Sequence, residues 1–96
     1  MVDPASQMRD FLQFTAVQLI DHPEKAQLRM AEVEDGHYRF RLIVEKEDVA
    51  ILIGKNGFTA STLRSLLKAA AEKFGVQVSL QIHSHEEENQ RLEAAS

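Results

Sequence analysis

The sequence predicts an α+β domain in which a three-stranded mixed sheet is covered on one face by three helices, in the order α-β-β-α-α-β. Three observations lead there. Asp35-Gly36 separates two strand-like runs and is a two-residue hairpin signal. A long amphipathic pattern opens at Thr59 and is closed by Gly75, a residue suited to a helix C-terminus. An alternating run from Val76 to Ile82 follows. The helical stretch between the second and third strands is long enough for a crossover, so those two strands can lie parallel.

The elements follow in order. Met8, Phe11, Leu12, Ala16, Leu19 and Ile20 recur at helical spacing, with Phe14 and Val17 widening the stripe. They predict a first helix over about residues 5–21, with Asp3 or Pro4 at its start and Pro23 ending it by restricting the residue before it. From Lys25 to Glu34, Ala26, Leu28 and Met30 alternate until Val33 falls out of phase, which predicts a strand with either a bulge or the end of pairing there. Tyr38, Phe40, Leu42 and Val44 alternate with His37, Arg39, Arg41 and Ile43. The mostly polar second set predicts a sheet covered on one side only. Glu47 or Asp48 can open a short helix through Val49-Ala50-Ile51-Leu52-Ile53, which stops at Gly54. On the long helix Ala60, Leu63, Leu66, Leu67, Ala70 and Phe74 form one face. The expected organisation is an N-terminal tail over 1–7, one domain over 8–83 and an acidic tail over 84–96. That last tail reads as either frayed helix or disordered chain.

Composition excludes several classes of function. There is no Cys, so disulfides and thiolate metal sites are out. No apolar run approaches the roughly 20 residues that span a bilayer. The first residues show neither a basic flank nor an apolar core of a leader, so a cytoplasmic protein without membrane insertion is expected. The formal charge of −4 hides an uneven distribution. Residues 51–75 carry Lys55, Arg64, Lys68 and Lys73 against Glu72 alone, and a ligand meets that local field rather than the total.

The chemistry is concentrated in Ile53-Gly54-Lys55-Asn56-Gly57, between two helices. Two glycines three apart let the backbone turn sharply and approach a ligand without a Cβ in the way. The next helix starts immediately, so its first N–H groups and positive dipole end face the same place, an arrangement suited to phosphate. Lys55 adds a point charge and Asn56 a donor. The segment is not a Walker A loop, because Val49 stands at the first glycine position and Asn56 follows Gly54-Lys55. A plain inter-helix turn, or a hairpin at Asn56-Gly57, would also account for these residues.

With these features the chain resembles a K-homology (KH) domain of the bacterial, type II topology, and more narrowly the small single-domain KH proteins of the KhpA type. The resemblance runs from about Met8 to Ile82. It rests on Asp21-His22-Pro23-Glu24, Glu47-Asp48-Val49, Ile-Gly-Lys-Asn-Gly and the Leu-Lys-Ala-Ala-Ala run at 67–71. It implies a module that binds about four nucleotides of single-stranded RNA, its G-x-x-G loop on the backbone and bases in a groove alongside. The implied RNA-binding residues are Ile53, Gly54, Lys55, Asn56, Gly57, Phe58 and Ser61, with Arg64 and Lys68 extending the basic track. The resemblance also implies homodimers, or pairing with a larger Jag-type KH protein, in RNA regulation or chaperoning linked to cell elongation and division. Relatives often carry a basic residue where Ile51 and Phe58 stand. Phe58 offers either a stacking surface for a base or a core residue at a helix start. The short Phe74-Gly75-Val76 connection predicts a shallow groove.

No cofactor, metal or small-molecule substrate is expected. His83, His85, Glu86 and Glu87 sit at a strand end with no second ligand set to close a site. The carboxylates pair with no nucleophile, and Ser61, Thr62 and Ser65 have no His base, so no enzyme is expected. The rival reading is a protein–protein interaction or assembly module, in which the apolar Ile51 and Phe58 make the loop region an interface.

Overall fold

The computed structural model describes residues 3–95. Residues 1, 2 and 96, the outermost parts of the two expected tails, lie outside the described residues. The elements are α1 (Pro4–Leu19), β1 (Gln27–Glu34), β2 (His37–Val44), α2 (Lys46–Ile53), α3 (Phe58–Phe74), β3 (Gln77–Ser84) and α4 (His85–Ala95), with short 3-10 turns at Pro23–Lys25 and Lys55–Gly57. The sheet runs β1-β2-β3, with β1 antiparallel and β3 parallel to β2. The expected α+β architecture is therefore present. Of the two outcomes that Val33 allows, the register shift between Glu32 and Glu34 is the bulge, because pairing resumes at Glu34 and His37.

Helix α1 starts where Asp3 and Pro4 predict but ends earlier than expected, before proline restricts it. Asp3 caps it by accepting from the Ser6 N–H at 3.3 Å, and Pro4 occupies the first turn, where its missing N–H costs nothing. Residues 4–7 thus belong to the helix rather than to a tail, and Ala5 is buried. The helix ends at Leu19, well before Pro23. Ile20 is extended and buried, and the next two N–H groups, of Asp21 and His22, donate to the Asp48 carboxylate at 3.0 Å each. Asp48, fully buried in the first turn of α2, therefore fixes the exit of α1 against that helix.

One core fills the space between the first three helices and a single sheet face. Met8, Leu12 and Ala16 meet Phe40, Leu42, Val44 and Leu80 from the sheet, with Leu52, Leu63, Leu67 and Ala71 closing it. Some expected core positions lie outside it. Leu66 is 50% exposed and borders, with Phe11 and Phe74, an apolar groove between α1 and α3. Met30 is exposed because only the Leu28 end of the edge strand β1 packs against the core. Helix α3 ends in a Schellman arrangement: Gly75 is left-handed at φ 72°, and the Val76 N–H reaches the Ala71 carbonyl.

The alternate sheet face is not fully open. Residues 85–95 form α4, and Glu88 from it is buried against Arg41, which lies on the face opposite Phe40 and Leu42. Ile43, on that same face, is buried too. A capping box starts the helix: the Ser84 hydroxyl accepts from the Glu87 N–H, and the Glu87 carboxylate accepts from the Ser84 N–H, both at 3.1 Å. The Ser84 N–H holds the Glu87 carboxyl below its ordinary range, and hydrogen bonding from Arg91, aided by Arg41 and Arg29, does the same for Glu88. Depressed carboxylates contribute stability that is present above the unfolded value of about 4.3 and is lost as pH falls through the lower folded values. Amide exchange across 85–95 should accordingly lose protection in acid before the core does. Protection of α4 that is equal at pH 6 and pH 2.5 would contradict the assignment.

Candidate functional site

The Gly54–Gly57 loop is built from backbone conformations that few residues adopt. Gly54 has φ 74° and ψ −178°, Asn56 is left-handed at φ 56° and ψ 28°, and Gly57 is left-handed at φ 76° and ψ 11°. Asn is among the few side chains that tolerate this region. The Gly54 N–H closes α2 on the Ala50 carbonyl, and the Gly57 N–H reaches back to Gly54 at 3.3 Å. Gly57 opens α3 with no side chain capping it, so the leading N–H groups of α3 adjoin a shallow depression lined by Lys55, Asn56, Gly57, Phe58, Thr59 and Ser61.

The two glycines serve different ends. A Cβ at Gly54 would stand 2.3 Å from Thr59 Oγ1, 2.8 Å from Thr59 Cβ and 3.0 Å from the Thr59 nitrogen. Gly54 is thus required by the approach of α3 itself, a reason that the ligand-approach reading does not supply. A Cβ at Gly57 would meet nothing within 4 Å, so only its left-handed backbone favours glycine.

Lys55 and Asn56 stand exposed at the tip, and neither Lys55 nor Lys68 is in an ion pair among the described residues. Phe58 is 72% exposed, which removes the core-residue option; it projects from the first turn of α3 beside the loop. Ile53, at the end of α2, is 43% exposed, and Ile51 is half-buried.

Ser61, Arg64 and Lys68 follow at three- and four-residue spacing and share one face of α3. Ser61 belongs to the loop depression. Arg64 and Lys68 instead line a groove between α3 and the edge strand β3, with Leu67, Val78, Ser79 and Leu80. Arg64 spans it, its Nε donating to the Leu80 carbonyl at 3.2 Å. The far end, toward His37 and Gln77, also carries Glu72, which weakens the positive field there. The β3 edge, Thr59 and Asp48 join this arrangement only in three dimensions. From the sequence they stand as a strand, a helix start and an acid in the first turn of a helix.

The histidines near the C-terminus are otherwise engaged: His83 faces Glu87 at 3.7 Å, and His85 Nε2 contacts the Lys25 carbonyl at 2.7 Å. Among the described residues no group of three or more His, Cys, Asp or Glu side chains is placed to hold a metal ion, and no helix is long and apolar enough to cross a membrane.

A KH-domain family model described as KhpA/KhpB matches residues 9–82. The chain belongs to the KhpA/KhpB KH-domain family. The family match covers most of α1 and nearly all of β3, ends before α4, and agrees with the type II KH order of strands and helices. Curated relatives are similar over nearly their whole length. The RNA-binding protein KhpA of Halalkalibacterium halodurans is 40% identical over 76 residues, covering 78% of this chain and 97% of its own. That of Chlamydia caviae is 38% identical over 76 residues, 78% of this chain and 95% of its own. That of Aquifex aeolicus is 33% identical over 78 residues, 80% and 96% respectively.

Proposed function

We propose that this chain is a non-catalytic RNA-binding module that takes a short single strand along the loop depression and the α3–β3 groove. The observation that carries this reading is the pairing of uncapped α3 N–H groups with an unpaired Lys55 at the tip of a loop whose path continues past Arg64 and Lys68. The phosphates of one or two nucleotides meet the helix end and Lys55, and Asn56 adds a donor. Bases lie toward β3, and the Phe58 ring stacks on one of them. Membership of a family whose relatives are named RNA-binding proteins supports the reading.

Replacing Lys55 and Asn56 together by Asp should abolish binding to a fluorescent single-stranded RNA, while the melting curve moves by no more than about 0.5 kcal/mol per site. Asp tolerates the left-handed backbone at 56, so the loop survives the change. In the wild type, three or four phosphate contacts give a log–log salt slope of roughly −2 to −3. Phe58→Ala should lower affinity by about 1–3 kcal/mol with that slope unchanged. Unchanged anisotropy for the loop variant would end the RNA assignment. A slope near zero would instead favour the interaction module, a reading to which the exposed Ile53 and Phe58 lend support.

We further propose self-association, or pairing with a larger KH protein, through the apolar groove between α1 and α3, lined in part by Phe11, Leu66 and Phe74. Leu66→Asp should shift sedimentation at tens of micromolar from dimer to monomer. A wild-type monomer at that concentration would count against self-association.

A further inference from the structure

The sheet face opposite the core carries three arginines. Arg29 and Arg41 are direct neighbours across β1 and β2, and Arg39 lies two residues along β2, between Ala31 and Ser79. Like charges directly across a strand pair destabilise it unless an anion lies between them. The strands supply one acid to this face, Glu34, and it sits at the hairpin end opposite His37. The counter-anion comes from α4, whose Glu88 contacts Arg91 at 2.7 Å and Arg41 at 3.7 Å. Among the described residues Arg29 bonds only Gln27, and Arg39 has no ion pair.

The hold of α4 on the sheet joins an ionic contact at Glu88 to a small apolar one, since Ile43 of β2 is buried on the same face. Glu88 is the only buried residue of the helix, and Leu92 is exposed. The helix also lies beyond the family match, which ends at residue 82. A carboxylate that sits between arginines on a tethered helix occupies the place a phosphate would take.

We propose that this sheet face is a second phosphate-binding surface for single-stranded RNA and that α4 is a tethered acidic cover holding it closed. The proposal rests on the RNA-binding reading given above. Arg29, Arg39 and Arg41 are the phosphate contacts, with Ser79 and Gln81 as neutral donors beside them.

The test compares full-length chains by RNA anisotropy across a salt series, each checked for folding by its melt. Ser84→Ala removes the cap of α4 without changing charge, and Glu88→Gln removes the bond to Arg41. Both should bind RNA roughly tenfold more tightly than wild type, with a salt slope steeper by about 1–2 as two or three contacts are added. Glu86→Gln, the same charge change at an exposed site of α4, should stay near wild type. Adding Arg39→Gln to either gaining variant should remove most of the gain. Wild-type affinity in both Ser84→Ala and Glu88→Gln, or a gain that survives Arg39→Gln, would overturn the proposal. The Lys55 and Asn56 double variant separates the two readings. If it binds like wild type, the loop assignment falls. If it loses RNA while Ser84→Ala and Glu88→Gln gain nothing, only the cover falls.

Discussion

Gly54→Ala should lower stability by roughly 3–5 kcal/mol, enough to unfold a large share of molecules if the domain sits at the low end of ordinary stability. Two costs add. The backbone at φ 74° and ψ −178° is nearly closed to any side chain, and the new Cβ would lie 2.3 Å from Thr59 Oγ1. Trimming Thr59 to Ala does not relieve the clash, since the Thr59 Cβ at 2.8 Å and backbone nitrogen at 3.0 Å remain. Gly57→Ala supplies the contrast, with a left-handed backbone but open space around its Cβ, so about 1–2 kcal/mol is expected. Urea unfolding of the two variants checks this. Equal losses at both positions would show that Thr59 moves aside freely. RNA binding lost in a Gly54 variant therefore reports on the fold as much as on phosphate approach, and Lys55 and Asn56 are the positions at which binding can be changed alone.

That distinction shows what was legible in the sequence and what was not. The G-x-x-G spacing, the helix after it and the hairpin at Asp35-Gly36 are local signals, and the structure has all three. The reason for Gly54 is not local: it lies in how closely Thr59 approaches after the chain has turned through Lys55, Asn56 and Gly57. Phe58 was ambiguous for the same reason, because a helix start can face either way and only the packing of α3 turns that position outward. Strand β3 is legible as an alternating run, but that its edge walls the groove beside α3 is a tertiary relation with no local pattern. Helix α4 is the opposite case. Ser84-His85-Glu86-Glu87 is a capping-box pattern legible in the chain, yet its acidic composition also fits a disordered tail, and Arg41 as the anchor for Glu88 is visible only in three dimensions.

Asp48→Ala is the second large loss, expected to cost about 3 kcal/mol and to lower the melting temperature by roughly 12–24 °C. The carboxylate is fully buried and receives the N–H groups of Asp21 and His22 at 3.0 Å each. Removing it strands two backbone donors in a segment linking α1 to the sheet, and it takes a negative charge from the first turn of α2. Asp48→Asn keeps one acceptor but turns an amide N–H toward the other donor, so about half the loss is expected there. The effect should spread beyond the substitution. Ile20 is held in the core by the bend that Asp48 fixes, and α2 leads directly into Gly54. Thermal melts of the Ala and Asn variants, with amide exchange at residues 20–22, test this. A loss below about 1 kcal/mol in Asp48→Ala, with residues 20–22 still protected, would mean that the packing of Ile20 and Leu52 holds this junction without the carboxylate.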